Sequence, residues 1–298
     1  MSEVLSCRDL HKVYGKKEAL AGIDLDLEQG KIYGLIGRNG AGKTTLLSCL
    51  SAQNPATSGT ITLGGAPVWE NRENLKKICF SREINPSSAK NGIDSGISGM
   101  KVKEYLRIAS IFYDHWDQAL ADRLIEEFEL DIKKKINALS KGMLSMVTMI
   151  VGMASKAPFT FLDEPAAGVD IISRENFYRM LIDEYSETGR TFVISTHIIE
   201  EAADVMEEVV MIDHGKLLLK ENTADLIDSV VHLSGEASAI DRAVEGLTVI
   251  RKHKELSGRG ASASVKLLPG QSLPELSGIT VQRLGLQEIF VEYVGGVK

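Results

Sequence analysis

Apolar residues along this chain recur in two rhythms. Short continuous runs bounded by glycine, proline or charge read as buried strands: Lys31 to Ile36, Phe159 to Leu162 and Thr191 to Ser195. Between them the spacing is helical. Thr44 to Leu50 opens one helix, and Ser140 stands before the apolar run Met143 to Ala154 as a helix cap does. The stretch "VKEYLRIASIFYDHWDQALADRLIEEFEL", 102–130, places apolar residues three and four apart, which predicts helix. Its aromatic patch, Phe112, Tyr113 and Trp116, suits either a local core or a docking surface. The small, polar segment 85–100 predicts a loop. Strands alternating with helices predict an α/β fold built from βαβ units.

After "MIDHGKLLLKENTADLI" the rhythm changes. "SASVKLL" and "GITVQRL" alternate as short strands and "LGLQEIFVEYV" reads as helix, so 223–298 is expected to be a small α+β appendage. Its "RKHK" cluster, Arg251 to Lys254, is expected to be a solvated turn.

Composition adds little to this picture but excludes several classes. Hydrophobic residues make up 44% and charged residues 25% of 298, as in ordinary globular chains. A formal net charge of −7 gives no reason to expect nucleic-acid binding. The N-terminus lacks the apolar core of a signal peptide, and Met143 to Ala154 is too short to cross a bilayer. Cys7, Cys49 and Cys79 share no metal-type spacing and suggest buried thiols in a reducing compartment.

Chemistry enters between the first strand and its helix. Gly37, Gly42, Lys43 and Thr44 fit G-x-x-x-x-G-K-[ST], the phosphate-binding P-loop, with Arg38, Asn39, Gly40 and Ala41 inside it and Thr45 following. Glycines allow the backbone N–H groups to converge on one phosphate, and the positive end of the helix points the same way. Lys43 then reaches the β- and γ-phosphates, and the Thr44 hydroxyl is suited to Mg²⁺. At the end of the second strand Asp163 is placed to hold Mg²⁺ through water, and Glu164 to deprotonate an attacking water. His197, past the third strand, faces the same crevice and is placed to polarise the γ-phosphate.

The order Tyr14, P-loop, "LSKGM", "FLDEP", "AAGVD" and "STH" resembles the ATP-binding cassette (ABC) family, the motor subunits of ABC transporters. The likeness covers roughly 3–220. Lys43 precedes Ser140 by 97 residues, Ser140 precedes Asp163 by 23, and Asp163 precedes His197 by 34. Wording such as "FYDHWD" and "INALSKGM" is similar to the Ytr-type and bacitracin-exporter-type branch of Gram-positive bacteria.

That resemblance implies a P-loop NTPase core with an antiparallel β subdomain, a helical subdomain at about 85–155, and an ABC domain over 1–222. It also implies ATP and Mg²⁺ as ligands, with Tyr14 stacking on adenine. A homo- or heterodimer follows, in which Ser140, Lys141 and Gly142 close over the partner's nucleotide and Asp170 communicates between the sites. Lys141 and Met143 depart from the family's Leu-Ser-Gly-Gly-Gln. Glu83 stands where the family has a glutamine that touches Mg²⁺, and a carboxylate there predicts slow turnover through repulsion of phosphate. The implied function is ATP hydrolysis driving export through separate membrane-spanning permease subunits, peripheral on the inner face of the cell membrane. The alternative is a soluble or regulatory cassette acting as a slow nucleotide switch.

Overall fold

The computed structural model describes residues 3–85, 97–254, 259–273 and 277–296. Most of the loop expected over 85–100 lies outside the described residues. By its contacts the chain divides into two units, Met1–His197 with Ile212–Leu217, and Ile198–Met211 with Leu218–Lys298.

The first unit holds two sheets. Strands β1 (Val4–Tyr14), β2 (Lys17–Glu28), β4 (Ser58–Leu63) and β5 (Ala66–Pro67) form an antiparallel sheet in the order β2-β1-β4-β5. It is the expected antiparallel β subdomain. The second sheet runs β3 (Ile32–Ile36), β8 (Thr191–Thr196), β7 (Phe159–Asp163), β6 (Ile78–Ser81), with every one of these pairs parallel. Each of these four strands is buried along its whole length. Parallel strands covered on both faces need continuous apolar runs, which is why the sequence shows runs rather than alternation here. In-register parallel pairing brings the C-terminal ends of β3, β7 and β8 to one edge: Ile36 faces Thr196, and Asp163 faces Ser195.

The helices of this unit are α1 (Lys43–Leu50), α2 (Arg72–Leu75), α3 (Val102–Phe112), α4 (Gln118–Glu127), α5 (Lys141–Ala154) and α6 (Ile171–Thr188). The helical rhythm of 102–130 is carried by two helices, not one. The break has a local cause. Asp117 is extended, its side chain caps α4 by accepting from Leu120 N at 2.9 Å, and its own N–H is spent on Ala154 O at 2.8 Å. Helix α3 leaves Ile111 and Phe112 exposed, at 71% and 74%, so Phe112 is not core, while Tyr113 and Trp116 are half-buried.

Buried ions fasten the far ends of α5 and α6. Arg190 lies 3.2 Å from Glu184, gives a hydrogen bond to Met153 O at 2.7 Å, and stacks 4.6 Å over the Phe192 ring. Glu184 also accepts from Lys156 at 2.7 Å.

Short helix α7 (Ile199–Ala202) belongs to the second unit, and β9 (Glu208–Asp213) and β10 (Lys216–Asn222) run across the division. Helix α8 (Thr223–Ser229) leads into β11 (Val230–Glu236), α9 (Ala237–Ala243), β12 (Thr248–Lys254), β13 (Gly260–Lys266), β14 (Ile279–Arg283) and α10 (Leu286–Gly296). The strands form an antiparallel sheet in the order β12-β13-β11-β14, a split βαβ arrangement. Val231, Leu233, Ala263 and Val265 pack beneath Ile240 of α9. Arg251 to Lys254 form part of β12 and not a turn; Lys252 pairs with Asp241, and Arg251 reaches His253. Among the described residues no helix is long and apolar enough to cross a membrane.

Candidate active site

The loop from Gly37 to Gly42 joins β3 to α1. Gly42, at φ +111°, sits so close to β2 that a Cβ there would lie 2.7 Å from Ala19 O. Glycine is required on both counts. Arg38, Asn39 and Gly40 are exposed, whereas Gly37, Ala41 and Lys43 are buried. Lys43 curls back over its own loop and donates from Nζ to Gly37 O at 2.7 Å. Its charge is 7% exposed and lies 3.4 Å from Glu164 Oε1. A buried ammonium needs such a partner.

Thr44, exposed on the first turn of α1, donates from Oγ1 to Asp163 Oδ2 at 2.8 Å. The other carboxylate oxygen, Oδ1, accepts from Ser195 Oγ at 2.5 Å. Burial pushes the Asp163 carboxyl up from its ordinary range, and the Ser195 and Thr44 hydroxyls pull it back down.

Glu164 follows in the left-handed region at φ +50°, unusual for a residue with a side chain and costing roughly 1–2 kcal/mol. Its N–H is held by both Ser195 O, at 3.0 Å, and Ser195 Oγ, at 3.1 Å. Its Oε2 lies 2.6 Å from His197 Nδ1 and accepts from the His197 N–H at 3.3 Å. Lys43, Thr44, Asp163, Glu164 and His197 therefore form one connected polar cluster at the sheet edge. Ser195, read in the sequence only as the end of a strand and the first letter of "STH", stands at its centre. Within "STH" the histidine drew the functional reading, and nothing in the spacing gave the serine at the strand end a role of its own.

Other expected site residues lie elsewhere in the first unit. Tyr14 ends β1, 45% exposed, accepts from Asn54 Nδ2, and has Lys12 Nζ 5.0 Å from its ring centroid. Thr45 is half-buried on α1. Ser140 caps α5, accepting from Met143 N at 3.2 Å. Asp170 caps α6, accepting from Ser173 N at 3.0 Å, and that backbone hydrogen bond holds its carboxyl below the usual range. Gly142 abuts the loop between Glu164 and Asp170 so tightly that a Cβ would lie 2.2 Å from Gly168 O. Ser145, one turn on, donates to Ala167 O at 2.8 Å. Glu83 follows β6 and pairs with Lys141 Nζ at 3.2 Å, both side chains being exposed.

The residues fit a hard divalent ion. Thr44 and Asp163 present oxygen to one point, as Mg²⁺ requires. Among the described residues no group of three or more His, Cys, Asp or Glu is arranged to hold a metal. An ion here would take its remaining oxygens from phosphate and water, which is how Mg²⁺ is usually held beside nucleotides.

Comparison with known proteins agrees with this geometry. Residues 20–167 match the family model for the ABC transporter. The ABC transporter ATP-binding protein YtrB of Bacillus subtilis is 26% identical over 72% of this chain and 70% of its own length. The bacitracin transport ATP-binding protein BcrA of Bacillus licheniformis is 28% identical over 99% of both chains. A solved dimeric, post-hydrolysis ATP-binding cassette, MJ0796, bound to ADP and Pi, superposes with a TM-score of 0.62 at 20% identity, over 74% of this chain and 98% of that one. A phosphate loop whose lysine meets the carboxylate at the end of β7 and whose threonine meets the aspartate before it is thus set in a recognised frame: the chain belongs to the ATP-binding cassette family of ATPases.

Proposed function

We propose that this chain binds ATP and hydrolyses it to drive an exporter, working on separate membrane-spanning permease subunits from the cytoplasmic face of the membrane. The cassette is taken as 1–222. One observation carries the reading: Glu164 is held between Lys43 and His197, 3.4 Å and 2.6 Å away, beside a P-loop.

Triphosphate entering the loop draws Lys43 from Gly37 O onto the β- and γ-phosphates, while the loop N–H groups and the start of α1 hold the remaining charge. Tyr14 offers its ring to the adenine. Glu164, relieved of Lys43, takes the proton of the attacking water, and His197 steadies the charge growing on the γ-phosphoryl group. Thr44 and Asp163 would hold Mg²⁺, which would supply charge neutralisation to the phosphates.

The exposed cap at Ser140, with Lys141 and Gly142, is suited to close over the nucleotide of a second cassette, identical or different, with Asp170 beside that junction. Two sandwiched nucleotides would then join the subunits, and cleavage would release them. The relatives named for transport and the dimeric cassette of similar fold support this reading.

The test is Glu164→Gln. Loss of a general base lowers kcat by about 10²–10⁴-fold. ATP affinity is expected to stay within a few-fold, and the ATP-loaded variant to elute as a stable dimer. Hydrolysis at the parent rate would overturn the assignment of Glu164.

A further inference from the structure

The hydroxyl of Ser195 is fully buried and used at both ends. It donates to Asp163 Oδ1 at 2.5 Å and accepts from Glu164 N at 3.1 Å. Other buried serines of this unit behave differently. Ser48, Ser51, Ser81, Ser145 and Ser155 donate to backbone carbonyls, which any buried hydroxyl does to avoid being left unpaired. Ser195 donates to a carboxylate instead, a hydrogen bond that fixes one oxygen of Asp163 while the other accepts from Thr44. The same atom helps hold Glu164 at φ +50°. A strained backbone persists only where its surroundings fix it, and two acceptors on one residue fix this one.

We infer that Ser195 is a positioning residue for nucleotide hydrolysis, one hydroxyl setting both the carboxylate that faces the metal–phosphate group and the backbone that aims the water-activating carboxylate. This rests on the hydrolytic reading above and adds to it a residue that touches neither phosphate nor water. In-register pairing of β7 with β8 delivers Ser195 opposite Asp163, so the arrangement is built into the sheet.

Three variants of the full chain test it: Ser195→Ala, Ser195→Cys, which keeps the volume with a weak donor, and Ser195→Thr, which keeps the hydroxyl. Affinity for a fluorescent ATP analogue is measured with and without Mg²⁺, beside kcat and the thermal midpoint. Ala and Cys are expected to leave affinity without Mg²⁺ within two-fold, to shrink the Mg²⁺-dependent gain at least five-fold, and to lower kcat at least ten-fold. Thr is expected to restore both. A Cys variant with the parent's Mg²⁺ gain and kcat overturns the inference. So does a Thr variant as impaired as Ala, since that marks a role in packing alone. If the parent chain hydrolyses no ATP, the hydrolytic reading falls by itself, and the Mg²⁺ gain still decides whether Ser195 orients Asp163.

Discussion

Glu83 and Lys141 neutralise each other at 3.2 Å, and both are exposed, at 46% and 61% of their side-chain surface. An exposed pair of this kind contributes only about 0.2–1 kcal/mol, so either partner is easily drawn off by a stronger charge. A triphosphate is such a charge. With Lys141 beside it, Glu83 would repel phosphate less than a bare carboxylate, while keeping that lysine's charge engaged. Glu83→Gln is therefore expected to raise kcat a few-fold at low ionic strength, with the gain shrinking in high salt as the charges are screened. A rate unchanged in steady-state assays at both salt concentrations would remove Glu83 from any part in turnover.

Among the elements, α4 shows how a single residue decides a helix boundary. Asp117 caps α4 through Leu120 N and lies 3.4 Å from Lys156. The Leu120 N–H, first, and Lys156 together hold its carboxyl below the ordinary value. A depressed carboxylate stabilises the fold above its unfolded pKa, about 3.9, and that contribution is lost as pH falls through the lower folded value. Asp117→Ala should cost about 0.5–2 kcal/mol at neutral pH, as lost caps do. Thermal unfolding followed from pH 7 into the acid range checks it: the gap between parent and variant should begin to narrow below about pH 4 and close only below the lower folded value. A gap that persists in acid would assign the loss to packing.

At the level of the whole molecule, the core was legible because parallel strands need long apolar runs and a phosphate loop needs fixed glycines. The lysine, threonine and acidic pair followed from spacing and chemistry. Three things were not legible. The left-handed turn at Glu164 has no glycine to announce it, Ser195 sits in "STH" with nothing to mark a role apart from the histidine's, and the break before Asp117 hides in an unbroken helical rhythm. Nor does sequence order show that 198–211 keeps company with the C-terminal residues. Thr223 N donates to Glu207 O at 2.9 Å, and Gln287 Nε2 donates to Glu200 Oε1 at 3.1 Å. A chain ending at Asn222 would strip these partners from 198–211. It is expected to unfold at a lower temperature than the full chain and to expose this segment to limited proteolysis. An equal thermal midpoint and an uncut segment would show that 198–211 stands without them.

The seat of Gly142 against Gly168 has a mechanical consequence. Backbone meets backbone with no side chain to cushion the contact, and Ser145 bonds the same loop one turn later. The tip of α5 and the loop that follows Glu164 consequently behave as a single lever. A displacement of a few tenths of an ångström at the tip would therefore be carried to the segment that begins at Glu164.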